Sequence, residues 1–229
     1  MVIGTGQLAK CFQDYLNNDE VCIFASGVSN SNCEDSSQFN REKNLLLNTL
    51  NDNKEKSFIY FSSCALSVES YPKNAYYKHK KNMEDIIKEH STNYYIFRIP
   101  QLFGDLIIHK TLINFIYKSI MHNHKFNVYD NAYRYVIEII DVKKLVDTYL
   151  KNHSSCVCVN LANNYKYKVL DIVNIFETLL EKKANYQLLE KTDDYTLNLS
   201  SLEEFIIKNK ININFGEEYL MTKLKEKLK

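Results

Sequence analysis

Phe58-Ile59-Tyr60-Phe61-Ser62-Ser63 is an apolar run that ends in two hydroxyls, and Ala75-Tyr76-Tyr77-Lys78-His79-Lys80-Lys81-Asn82-Met83-Glu84 follows it after a polar turn. A serine at a strand end, then a helix presenting tyrosine and lysine, is the arrangement that carbonyl/alcohol redox chemistry at a nicotinamide needs. With 17 tyrosines in a lysine-rich chain, a Tyr-x-x-x-Lys match also arises by chance. Helix geometry selects between the two overlapping pairs. Residues four apart share a face, so Tyr76, Lys80, Met83 and Ile87 form one stripe. Met83 and Ile87 must face the core, which puts Lys80 on the apolar side, where lysines are rare without a partner. Tyr77 and Lys81 fall toward the polar face and read as solvated surface.

Outward from this pair, short apolar runs alternate with amphipathic segments. Val2-Ile3, Val21 to Ala25, Phe58 to Phe61 and Tyr94 to Phe97 read as buried strands. Helices are expected from Gln7 to about Leu16, over Phe39–Leu50 and over residues 75–90. That alternation means βαβ units and a parallel sheet covered by helices. After Gly104 the pattern changes. Helices are expected over 112–121, 141–150, 169–180, 200–208 and 217–228, with strands over 126–129, 136–140, 157–161 and 186–189. Residues 1–104 form the first unit, and 105–229 a lobe whose later elements return to the core. Gly4-x-Gly6-x-x-Ala9 lies between a strand and a helix, the context of a dinucleotide fingerprint; an ordinary tight turn gives the same pattern. Glycines there let backbone approach a pyrophosphate at a helix N-terminus. The acid expected at the end of the second strand of an NAD site is absent: the strand ends Ala25-Ser26-Gly27, and Asp19 and Glu20 precede it.

Composition narrows the classes. The chain has 229 residues, 45% of them hydrophobic, and a net charge of +1. That suits one domain with a real core and gives no bias toward nucleic acid or membrane. The apolar stretch from Leu106 to Tyr117 is broken by His109 and Lys110 and is too short to span a bilayer. A strand-like Val2-Ile3 directly after Met1 leaves no room for a signal peptide. Six cysteines form no Cys-x-x-Cys pair, which argues against a metal site and for free thiols in a reducing, cytoplasmic setting. Cys156 and Cys158 alternate within a strand and are expected to act as small hydrophobes on one side of it.

The order of these pieces resembles the extended short-chain dehydrogenase/reductase superfamily, in its nucleotide-sugar epimerase/dehydratase branch. Val2 to Ala9 matches the glycine-rich start, and Ile23-Phe24-Ala25-Ser26-Gly27 the strand whose backbone lines the cofactor. Tyr60-Phe61-Ser62-Ser63 is similar to the strand bearing the catalytic hydroxyl. Tyr76-x-x-x-Lys80-x-x-x-Glu84 is similar to the catalytic helix with its trailing acid. Phe97-Arg98-Ile99-Pro100, Arg134 with Ile140-Asp141-Val142, and Val159 to Ala162 followed by Val169 to Ile172 continue the match to about residue 180. One departure is large. If Ile23 to Gly27 is the family's fourth strand, its second and third strands are missing, and the first strand lies at the sheet edge.

The resemblance implies a Rossmann-like parallel sheet flanked by helices, lacking the usual second and third strands, with a small C-terminal substrate lobe. It implies NAD or NADP as hydride carrier and a nucleotide-linked sugar as substrate, in surface-polysaccharide or other glycoconjugate synthesis. Tyr76 would be the general acid/base. Lys80 would lower its pKa and hold the nicotinamide ribose, and Ser63 would bind the reacting oxygen. Gly4, Gly6, Gln7, Leu8, Ala25, Ser26 and Gly27 would line the cofactor; Ser62 and Arg134 would face the substrate, Arg134 through its phosphate-matching fork. A surface salt bridge is the alternative for Arg134. The alternative for the whole chain is a non-redox binding or assembly subunit with a reduced nucleotide half. Leu45, Leu46, Leu47 and Leu50 span more of their helix than one sheet face covers, so a homodimer through Phe39–Leu50 and Ala75–His90 is expected.

Overall fold

The computed structural model describes residues 1–108 and 111–228; His109 and Lys110, which break the longest apolar run, lie outside them. The first elements are β1 (Val2–Ile3), α1 (Gln7–Cys11), β2 (Val21–Phe24), α2 (Ser36–Asp52), β3 (Ser57–Ser63), α3 (Ala75–His90) and β4 (Tyr94–Ile99). There follow β5 (Gln101–Phe103), α4 (Leu112–Met121), β6 (Phe126–Glu138), α5 (Ile139–Asn152), β7 (Val157–Asn160) and β8 (Lys166–Lys168). The chain continues through α6 (Val169–Leu180), β9 (Tyr186–Asp193), α7 (Ser200–Lys208) and α8 (Tyr219–Lys227).

Five strands form one parallel sheet in the order β1-β2-β3-β4-β7. The first strand is therefore an edge strand, paired only with β2 among the described residues, as the missing strands require. Both faces of the sheet are covered, so its strands read as continuous apolar runs. Cys22, Phe24, Phe58, Tyr60 and Ile96 pack on Leu46 and Leu50 of α2 and on Met83 and Ile87 of α3. Ile23, Ile59, Phe61 and Phe97 pack on the other side against Phe12, on Val142, Leu145 and Tyr149 of α5, and on Leu202 and Phe205 of α7. Helices α5 and α7 and strand β7 come from the second half of the chain and belong to this core. The lobe proper is a second sheet, β5-β6-β8 with β9 alongside β6, packed on α4, α6 and α8.

Three expectations need correction. Phe126–Tyr129 and residues 136–138 are parts of one strand, because Asp130 and Asn131 do not turn the chain but sit at a register shift against β9, while Ile139 and Ile140 already belong to α5. Cys156 and Cys158 are both exposed; Cys156 precedes β7 at φ +65°, and Val157 and Val159 take the buried positions. The leucines of α2 leave no exposed patch. Leu46 and Leu50 are buried, while Leu45 and Leu47 are partly buried against the same cluster, so one chain covers them and the homodimer loses that argument.

A buried clamp fixes α3 to the sheet. Arg98 of β4 donates from Nε to Glu84 Oε1 at 2.8 Å and from Nη2 to Glu84 Oε2 at 2.6 Å, and Glu84 is fully buried. Removing one partner of a buried pair strands the other charge. Glu84→Ala is therefore expected to destabilise the fold by about 3–5 kcal/mol, read from urea denaturation midpoints; a cost below about 1 kcal/mol contradicts the clamp.

Candidate active site

The C-terminal ends of β2, β3 and β4 open onto a cavity of about 1670 Å³ between the sheet and the lobe. Ligands of open α/β sheets bind at this end of the strands. Gly6, Gln7, Leu8, Ala25 and Gly27 line it from the nucleotide side; Ser62, Ser63, Tyr76 and Lys80 line its middle, and Arg134 its lobe side. Gly4 and Ser26, expected at the cofactor, are not among the residues that line the cavity. Gly4 has φ +132°, and a Cβ there would lie 2.4 Å from the Ala25 carbonyl oxygen, so the turn after β1 admits no side chain. The Ser26 carbonyl accepts from Arg41 Nη2 at 3.1 Å.

Helix α3 is aimed by its cap. The Asn74 side chain accepts from the Tyr77 backbone N–H at 3.1 Å, and its amide donates to the Ser31 carbonyl at 2.7 Å. From this start, Tyr76, Lys80, Met83 and Ile87 all face inward and are buried, as the stripe predicts. Lys81 points to solvent and pairs with Asp85. Tyr77 is not the solvated residue expected: it is half-buried, lines the cavity and packs edge-on against Tyr71 at 5.8 Å.

The residue that sequence reasoning missed is Glu42. It lies on α2, fully buried, and accepts four hydrogen-bonding contacts. The Val28 N–H donates at 2.6 Å and the Tyr60 hydroxyl at 2.7 Å, while His79 Nε2 and Lys80 Nζ each lie at 3.0 Å. Lys80 also donates to the Tyr60 oxygen at 3.0 Å. An ammonium has three protons, so this leaves one for a ligand. Gly27 lies directly over the pair: a Cβ at that position would fall 2.5 Å from Lys80 Nζ and 2.9 Å from Glu42 Oε1. A polar residue inside the Leu-rich pattern of α2 was the available signal, but nothing in the sequence states that it points at Lys80.

These contacts change the electrostatics expected of Tyr76. Burial pushes its hydroxyl up, and Tyr77 and Glu42 add to that. Burial draws Lys80 itself down, against the pull of the Glu42 carboxylate. At Glu42 burial opposes ionisation, but Lys80, His79, Val28 and Tyr60 outweigh it and hold the carboxyl at about 2. Ser62 is buried with no partner for its hydroxyl among the described residues, and the same holds for the Gln7 carbonyl oxygen; both residues line the cavity. Arg134 is paired with Asp193 of β9, Nη2 to Oδ2 at 2.5 Å. Among the described residues no cluster of His, Cys, Asp and Glu could hold a metal ion, and no helix is long and apolar enough to cross a membrane.

The unpaired Ser62 hydroxyl, the remaining Lys80 proton and the glycine surface at position 27 fit the nicotinamide-ribose half of a dinucleotide. The adenosine half fits less well, since β1 is the sheet edge and no acid closes β2.

No family model and no curated protein sequence matches the chain. Solved structures do match it in fold. One is dTDP-glucose 4,6-dehydratase from Bacillus anthracis str. Ames in complex with NAD, at 14% identity and TM-score 0.72, covering 97% of this chain and 76% of that one. Another is UDP-glucuronic acid 4-epimerase from Bacillus cereus in complex with UDP-glucuronic acid and NAD, at 14% identity and TM-score 0.72, covering 98% and 78%. A third is UDP-N-acetylglucosamine 4-epimerase from Bacillus cereus, at 17% identity and TM-score 0.70, covering 99% and 88%. The chain thus has the Rossmann-like epimerase/dehydratase fold that the order of its motifs implied.

A carboxyl whose folded pKa lies below its unfolded value stabilises the fold above the unfolded value and loses that contribution as pH falls toward the folded one. With Glu42 near 2 when folded and about 4.3 when unfolded, its contribution is full above roughly pH 5 and fades between there and pH 2. Glu42→Gln should flatten this acid limb in denaturation midpoints measured across pH. Equal slopes for both proteins would remove Glu42 as the cause.

Proposed function

We propose that this chain is an NAD(P)-dependent enzyme acting on a nucleotide-linked sugar, an epimerase, dehydratase or reductase of cytoplasmic glycoconjugate synthesis, surface polysaccharide included. The carrying observation is the convergence of Tyr76, Lys80, Ser62 and Ser63 on one cavity at the C-terminal ends of parallel strands. When bound, the nicotinamide supplies hydride transfer. The chain's own residues do the rest. The Tyr76 hydroxyl gives or takes the proton of the reacting oxygen. Ser63 hydrogen-bonds that oxygen, and Ser62 offers an unpaired hydroxyl beside it. Lys80, fixed by Glu42 and Tyr60, directs its third proton at the ribose or at Tyr76. Arg134 is the cation available to a substrate phosphate. The free thiols suit a reducing compartment.

A second reading has its own support. The Lys80 charge is already matched by Glu42, the Tyr76 hydroxyl is raised, and β1 lacks the strands that complete an adenosine site. Those features suit a non-redox binding subunit.

Fluorescence titration with NADH and NADPH separates the two. Binding is expected to be weak, with similar half-saturation for both, because nothing at the end of β2 selects at the adenosine ribose; tight binding of one alone contradicts this. For turnover, Tyr76→Phe should cost about 10²–10⁴-fold with an unchanged circular dichroism spectrum. Normal turnover in Tyr76→Phe beside an inactive Tyr77→Phe would move the acid/base role to Tyr77.

A further inference from the structure

The lobe side of the cavity carries a charge pair whose acid, Asp193, the proposed chemistry does not use. Arg134 Nη2 meets Asp193 Oδ2 at 2.5 Å, and Nη1 donates to the carbonyls of Tyr133 at 2.7 Å and Asp193 at 3.3 Å. The other carboxylate oxygen of Asp193 accepts from the Tyr71 hydroxyl at 2.7 Å. Arg134 and Asp193 keep 18% and 22% of their side-chain surface, so both still open onto the cavity. Lys191, on the same strand as Asp193 and on the same cavity, lies over the Tyr129 ring at 4.5 Å and forms no ion pair among the described residues.

A guanidinium carries five N–H donors that suit carboxylate and phosphate oxygens. Here Nη2 holds a carboxylate that Tyr71 fixes in place, and Nη1 is engaged by two backbone carbonyls. An incoming phosphate that uses Arg134 meets that carboxylate's negative charge at short range. Lys191 lines the same cavity and is a second cation for a diphosphate.

Resting on the nucleotide-sugar reading of this cavity, we propose that Asp193 is a specificity-determining residue: it occupies the phosphate position on Arg134 and holds down affinity for nucleoside diphosphates. The strand end carrying it must yield when such a ligand binds. Asp193→Asn keeps the shape and the Tyr71 contact but removes the charge.

Calorimetric titration of the full chain with UDP, and with uridine as a phosphate-free control, tests this. Asp193→Asn should bind UDP at least about ten-fold tighter than the parent, with uridine unchanged. Tyr71→Phe, which loosens Asp193 without removing it, should tighten UDP by a smaller factor. Unchanged or weaker UDP binding by folded Asp193→Asn overturns the proposal, as does equal tightening of uridine. If Asp193→Asn does not fold, unchanged UDP affinity in Tyr71→Phe overturns it. NADH titration of the same samples keeps the two readings apart. A gain in UDP affinity without NADH binding supports Asp193 and removes the redox function, while NADH binding with no UDP binding in either form does the reverse.

Discussion

The buried carboxylate of Glu42 is where the nucleotide side of this molecule is tied together. Its four partners come from the loop after β2, from β3 and from two positions on α3, while Glu42 itself stands on α2. One side chain therefore fixes the spacing of two helices above the sheet and the path of the backbone at Gly27. Burying two charges costs several kcal/mol each, and the cost is met only when geometry and extra hydrogen bonds are good. Here every donor around the carboxylate is supplied, which explains why α2, α3 and β3 cannot shift independently.

The same device recurs across the cavity. Lys80 and Arg134 both line the cavity, and each arrives with its own internal acid. The two pairs differ in burial. Glu42 is sealed, so it acts as fixed architecture, whereas Asp193 is partly open and can be exchanged for another anion. A cavity lined in this way is close to charge balance, so binding depends on exchange of partners more than on a standing positive field.

Shortening the sheet has a matching consequence. With β1 at the edge, the glycine turn after it faces less protein than in a complete dinucleotide fold. Ser62, Ser63, Lys80 and Gly27 line the cavity at the inner strands, while no strand flanks β1 on its outer side among the described residues.

The sequence by itself determined the alternation of strands and helices, the edge position of β1, the inward stripe Tyr76-Lys80-Met83-Ile87 and the cavity-lining set around it. Those follow from local periodicity and motif order, and local periodicity is carried by neighbouring residues. Only the tertiary structure decided who neutralises whom. Glu42 and Lys80 are 38 positions apart, and Arg134 and Asp193 are 59 apart. Such pairings depend on how α2 crosses α3 and how β9 lies along β6, which no local pattern encodes. The short strands β5 and β8 and the continuous β6 escaped for the same reason: their hydrogen bonds are made to distant strands, and a bulge absorbs the residues that locally favour a turn. Burial of Leu45 and Leu47 likewise depended on how two helices pack on one sheet face, a distance that leucine spacing does not contain.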